Sequence, residues 1–295
     1  MKQYLDLLRE IKQNIERNDR TTTIGIFGMQ AKYNLADFPL VTTKKTFLRI
    51  IVELIWLIRG ETNIKYLVDR DVHIWDEWPF QNYLKENNLE EKFPKYSEKW
   101  LEEKKNFTEK IKNLAESDEF VKKYDLPVYK QWRNFNENID QLKNAVELIK
   151  NNPENRRIIV SAWNPAEIEE MLLPPCHCFF QFNVDTKNKK LNLQLYQRSA
   201  DMFLVPFNIA SYSALLLLIS KITLTPGVFT HTLDAHIYKN HLEQVDLQLS
   251  REPFPLPELN ILKEIKNLED LEKLEWSDFE LKDYKSHEAI KAVAV

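Results

Sequence analysis

Apolar residues at Tyr4, Leu8, Ile11 and Ile15 recur at helical spacing, so the pattern predicts an amphipathic helix over residues 2–17. A polar loop, 19–23, leads into a short strand and turn at 24–28. Residues 46–59 are apolar nearly all round, which predicts a helix buried on most sides and stopped by Gly60. Ile139, Leu142, Val146 and Ile149 mark another amphipathic helix. Strands are predicted at 158–163, 180–184 and 191–196, where Leu191, Leu193 and Leu195 alternate as in a half-buried strand. A hydrophobic helix at 209–222 precedes a strand at 229–238 that carries His231 and His236. The chain shows no internal repeat and no flexible linker, and its length suits one large domain or two small ones.

Residues 81–125 change character. Lysine and glutamate dominate, with scattered Leu, Phe, Trp and Tyr, so the stretch reads as a mostly helical insertion with a solvated charged face. The chain has 295 residues, a hydrophobic fraction of 43% and a net charge of −4, so no basic field favours nucleic acid or a membrane surface. Two cysteines do not make a disulfide framework, no apolar run is long enough to span a bilayer, and a cytoplasmic protein is the expectation.

The candidate chemistry centres on Leu172-Leu173-Pro174-Pro175-Cys176-His177. The prolines fix φ and lack an N–H, so the chain cannot join a sheet ladder until Cys176. A thiol held at such a corner can serve as a nucleophile, or it can be a small core residue. Cys176 and His177 do not read as a dyad, because neighbouring side chains on a strand face opposite ways. Cys176-x-Cys178 has no second ligand pair at structural-zinc spacing, so no metal is expected. Glu53 is the one acid in the apolar 46–59 run and reads either as an arginine-paired carboxylate or as a tuned acid/base. Trp75 and Trp78 could offer a flat face to a planar ligand or simply be core. Arg20 could grip an anion or be solvated.

Longer motifs join these segments. Residues 156–165 (RRIIVSAWNP) followed by LPPCH at 173–177 resemble the signature of thymidylate synthases. So do QLYQRSAD at 194–201, PFNIASY at 206–212, DAHIY at 234–238, FPLVTTK at 38–44 and the terminal Ala294-Val295. The resemblance covers nearly the whole chain, and the 81–125 insertion is similar to the enlarged small domain of some bacterial members. It implies one α+β domain over 1–295, with a thymidylate-synthase-like mixed β-sheet and sheets packed back to back in a homodimer.

The resemblance also implies a reaction, the reductive methylation of dUMP to dTMP, with methylenetetrahydrofolate as one-carbon donor and reductant and no metal. Cys176 would add to C6 of the pyrimidine, with Arg198 raising its thiolate fraction. Glu53, with Tyr129, would move protons. Arg20, Arg198 and Ser199 would hold the phosphate, with Arg156 and Arg157 reaching across from the second subunit. His236 and Tyr238 would contact the deoxyribose, and His177 would lie near O4. Asn208, which can donate to O4 and accept from N3–H, would select uracil over cytosine; a helix-cap role for it could coexist. Ile74, Trp75, Trp78, Asp201, Phe207, Ala294 and Val295 would form the folate side, with Asp201 also counted among the catalytic residues. Deoxyuridylate hydroxymethylation, and non-catalytic nucleotide or RNA binding, are the other functions considered.

The chain departs from this pattern in glycine. It has 4, and several family glycines are absent rather than replaced: around Thr22, before Phe38, before Pro127, after Tyr129, before Val205 and before Asp234. A proline before Val293 is also absent. Losing one residue inside a strand reverses the facing of all that follow unless a bulge is lost with it. Either these loops have been rebuilt or the natural chain is longer; the close match of the flanking residues favours the second, for which the intact mass should exceed 35.2 kDa.

Overall fold

The computed structural model describes residues 1–14, 22–46 and 49–292. In chain order the elements are α1 (Lys2–Gln13), β1 (Thr23–Asn34), α2 (Ile50–Arg59), α3 (Lys65–Val68), α4 (Glu77–Glu86), α5 (Glu98–Asn113), α6 (Glu119–Lys123), α7 (Gln141–Asn151), β2 (Ile159–Ser161), β3 (His177–Asp185), β4 (Lys190–Asp201), α8 (Val205–Ile222), β5 (Thr225–Tyr238), α9 (Leu242–Leu249), β6 (Glu258–Ile261), α10 (Leu268–Glu272) and β7 (Phe279–Lys282). The class is α+β. The chain divides into two compact units: residues 1–51, 141–161 and 176–295 form the larger, and residues 52–140 and 162–175 the smaller.

The larger unit is built on a five-stranded mixed sheet, ordered β1-β5-β4-β3-β2. β4 and β5 run parallel and the other pairs antiparallel. A parallel pair needs a crossover, and α8 supplies it. That helix is apolar around its circumference and almost wholly buried. It is the one described helix long and apolar enough to cross a membrane. α8 begins four residues before the sequence expectation, because Pro206 sits in its first turn, where a missing N–H costs nothing. Asn208 therefore lies inside the helix, and the cap position belongs to Leu204, so the helix-cap role for Asn208 is corrected.

The strands also run longer than hydrophobic alternation alone implies. β1 extends to Asn34, and β4 takes in the polar stretch 197–201, since ladder hydrogen bonds hold polar residues as readily as apolar ones. In contrast, β2 is shorter than expected, and the first helix ends at Gln13. Residues 15–21 lie outside the described part.

β5 alternates buried and half-buried residues without interruption from Gly227 to Tyr238. Opposite its single residue Asp234, β1 carries two residues, Phe27 and Gly28, and β4 carries two, Arg198 and Ser199. The slack in register is thus taken up in both neighbours of β5. Gly28 turns at a φ of +80°, which suits a bulge. β5 keeps a continuous facing, with His231 on the buried side and His236 and Tyr238 on the other.

The smaller unit is helical. Val52 to Ile58 of α2 are buried, and the helix stops where the Gly60 N–H reaches the Leu57 carbonyl (3.0 Å) and the Glu61 N–H reaches that of Trp56 (3.2 Å). This is the paired 5→2 and 6→1 closure that favours glycine, and Gly60 has a φ of +69°. The expected start at Thr46 is not met, for α2 begins at Ile50; Phe47 and Leu48 lie outside the described residues. Residues 81–125 hold the end of α4 and all of α5 and α6, and their Tyr83, Trp100, Phe107, Phe120 and Tyr124 form an aromatic cluster with Phe80.

Candidate functional site

Cys176 stands one residue before β3, half-buried and unpaired with Cys178. Its carbonyl accepts the Arg198 N–H at 3.0 Å, which fixes the backbone of Cys176 against the bulged end of β4. Burial pushes the Cys176 thiol up, and the Arg198 guanidinium opposes that shift. The nucleophile candidate and its cation thus come from the entry to β3 and from β4, and the register of β3 on β4 sets their spacing.

Beside Arg198 in β4, the buried Gln197 begins a chain of side-chain hydrogen bonds. Gln197 donates from Nε2 to the Ser199 carbonyl (2.9 Å) and to Asn208 Oδ1 (3.2 Å). Its Oε1 lies 2.8 Å from Nε2 of His231. His177 packs edge-on against Tyr212, at 5.2 Å between ring centres. Burial pushes it down to about 4, and a hydrogen bond with Asn208 opposes this, so the imidazole is neutral at pH 7. Neither Gln197 nor the role of His231 was singled out from sequence. A glutamine in a strand and a histidine among apolar residues carry no periodic signal, and only the contact reveals them.

Asp201 closes β4. Its Oδ1 accepts the Phe203 N–H at 2.9 Å. Next to it Lys44, also unmarked in the sequence, is buried and donates to the Phe203 carbonyl at 2.7 Å. Its ammonium lies over the rings of Phe203 (4.9 Å) and Phe207 (5.7 Å). Burial pulls Lys44 down to about 8, and Asp201 opposes that. Ser199, His236 and Tyr238 are half-buried, the last two 5.7 Å apart between ring centres. Arg156 and Arg157 are exposed just before β2; the Arg156 carbonyl accepts from Gln181 (2.8 Å) and the Arg157 N–H donates to Asn155 (2.8 Å). Arg20, Ala294 and Val295 lie outside the described residues.

The smaller unit holds a second cluster. Glu53 is buried in α2 and accepts from the Trp75 indole at 2.6 Å. Among the described residues its partner is an indole rather than an arginine, so the ion-pair alternative for Glu53 is corrected. Burial drives its carboxyl up to about 7, and the Trp75 hydrogen bond opposes the rise. Trp75 contacts Trp78 (5.4 Å) and Tyr129 (6.2 Å). The two tryptophan planes meet at 50°, so they do not form the flat face considered from sequence. Both are half-buried, Tyr129 is buried and Ile74 is exposed. A carboxyl poised near neutrality suits proton transfer in either direction. Among the described residues no group of three or more His, Cys, Asp or Glu side chains is arranged to hold a metal ion.

Residues 2–295 match the family described as thymidylate synthase. The chain is similar to a thymidylate synthase of Mycoplasma mobile, 53% identical over 303 residues and covering 99% of each chain. It is similar to that of Malacoplasma penetrans, 52% identical over 302 residues, covering 99% of this chain and 98% of the relative. A third, from Mycoplasma pneumoniae, is 48% identical over 300 residues, at 99% and 98%. Each alignment is longer than the 295 residues of the chain, so each opens gaps in it.

Proposed function

The chain belongs to the thymidylate synthase family, and we propose that it converts dUMP to dTMP, with methylenetetrahydrofolate supplying both the carbon and the reducing hydride. The observation that carries the reading is the tie between the Cys176 carbonyl and the Arg198 N–H, which holds a thiol at the entry to β3 beside its counter-cation on β4.

In this mechanism the Cys176 thiolate adds to C6 of the pyrimidine, C5 becomes nucleophilic and attacks the one-carbon unit, and loss of the C5 proton then expels the folate nitrogen and leaves an exocyclic methylene that accepts the hydride. Glu53, near neutrality and oriented by Trp75, moves protons with Tyr129, including the one leaving C5. Hydride transfer from the folate completes the methyl group, and Cys176 departs. Asn208 reads the O4 and N3–H edge of uracil, with neutral His177 beside it. Arg20, Arg198 and Ser199 hold the phosphate, and His236 and Tyr238 the sugar. Ile74, Trp75, Trp78, Asp201, Phe207, Ala294 and Val295 hold the folate.

The homodimer belongs to the same reading. The large sheet exposes Phe27, Ile159 and Phe179, and Phe179 stacks on Tyr196 at 5.6 Å. Large apolar side chains exposed on a sheet suit back-to-back association with a second copy. Arg156 and Arg157, exposed beside β2, then serve the partner's phosphate site. Free thiols at Cys176 and Cys178 suit the reducing cytoplasm. Absorbance of dihydrofolate tests the reaction: it should grow in step with dTMP, whereas hydroxymethylation would leave tetrahydrofolate unoxidised.

A further inference from the structure

His231 is fully buried on the core side of β5, five residues before His236. Its Nε2 faces Gln197 Oε1 at 2.8 Å, and its Nδ1 has no hydrogen-bond partner among the described residues. The protons in this chain are decided by one group. The Ser199 carbonyl can only accept, so the side of Gln197 facing it is the NH2 group. Oε1 then faces His231, and His231 must carry its proton on Nε2. The other Gln197 hydrogen goes to Asn208 Oδ1, so the amide of Asn208 has one orientation as well. A hydrogen bond with His177 takes up part of what remains of that amide, and the rest is left for a ligand.

We infer that His231, as its neutral Nε2–H tautomer, is a specificity-positioning residue: it clamps Gln197, and Gln197 fixes which end of the Asn208 amide meets the pyrimidine. The inference rests on the dUMP reading above. Uracil and cytosine differ in hydrogen-bond polarity at position 4 and N3, so an Asn208 amide free to turn over would read both. Burial, with the nearby His177, holds His231 down to about 3, so it stays neutral across the working pH range. A donor lost from His231 would leave Gln197 Oε1 buried without a partner, and the amide would rotate to find one.

Two measurements on the full-length protein test this. In nitrogen-15 NMR of the unmodified protein, His231 should show a protonated Nε2 and a bare Nδ1, unchanged from pH 5 to 8. In kinetics, His231→Leu should raise KM for dUMP and lower the preference for dUMP over dCMP by about tenfold, the factor that one neutral buried hydrogen bond carries. His231→Gln, which keeps a donor, should recover most of that preference. A folded His231→Leu protein with unaltered preference overturns the inference. So does a proton on Nδ1, and this arm decides the matter if the leucine variant fails to fold. Failure of the unmodified protein to bind dUMP defeats the functional reading instead, whereas normal dUMP turnover with an Nδ1–H His231 defeats this inference alone.

Discussion

The indole of Trp75 donates to Glu53 at 2.6 Å, and the carboxyl it touches is held near pH 7 by burial. Its ordinary value is 4.5. The folded state therefore binds a proton that the unfolded chain has released between those two values, and stability falls as pH rises through that window. The whole effect is at most about 3 kcal/mol. Glu53→Gln should remove this pH dependence and leave the protein more stable than the parent at pH 8. Urea melts at pH 5 and pH 8 measure it. The same variant should lose roughly 10²- to 10⁴-fold in kcat, the usual contribution of a positioned acid/base.

Trp75→Phe keeps the ring and removes the donor. The hydrogen bond lowers the Glu53 carboxyl, so its loss should move that titration upward. The Glu53 limb of the kcat/KM profile should shift to higher pH, with the folded structure unchanged by circular dichroism. A profile that stays in place would separate Trp75 from proton transfer.

Arg198 opposes the upward push of burial on the Cys176 thiol. Arg198→Gln should raise the thiol further and reduce the thiolate fraction at neutral pH. The rate of alkylation of Cys176 by iodoacetamide should fall by roughly tenfold or more at pH 7, with its titration moving upward. Equal alkylation rates in parent and variant would show that the guanidinium does not act on the sulfur.

Phe229 stacks between Tyr33 (5.8 Å) and Tyr212 (6.1 Å) and is fully buried. Phe229→Ala should cost about 3–5 kcal/mol. A fall in the midpoint of chemical unfolding, with unchanged slope, checks this.

The sheet and the central helix were legible because their signal is apolar alternation or an unbroken apolar run. Leu191, Leu193 and Leu195 showed β4, but its extension through Arg198 and Ser199 depends on a bulge opposite Asp234 that no single-strand pattern contains. Glu53 stood out as a lone acid in an apolar helix, yet its partner, 22 residues away, emerged only from tertiary contact. Lys44, Gln197 and His231 were placed on motifs or strands but given no partner, for a related reason. Each is a polar group buried against carbonyls, rings or amides from distant segments, and local sequence does not encode those partners.

The central claim is that Cys176 activates C5 of a uracil nucleotide. Release of tritium from dUMP labelled at C5, in the presence of methylenetetrahydrofolate, reports that step directly. We predict steady release by the parent protein, matched by dTMP formation, and none by Cys176→Ala. Release that persists in Cys176→Ala, or is absent from the folded parent, would contradict the account.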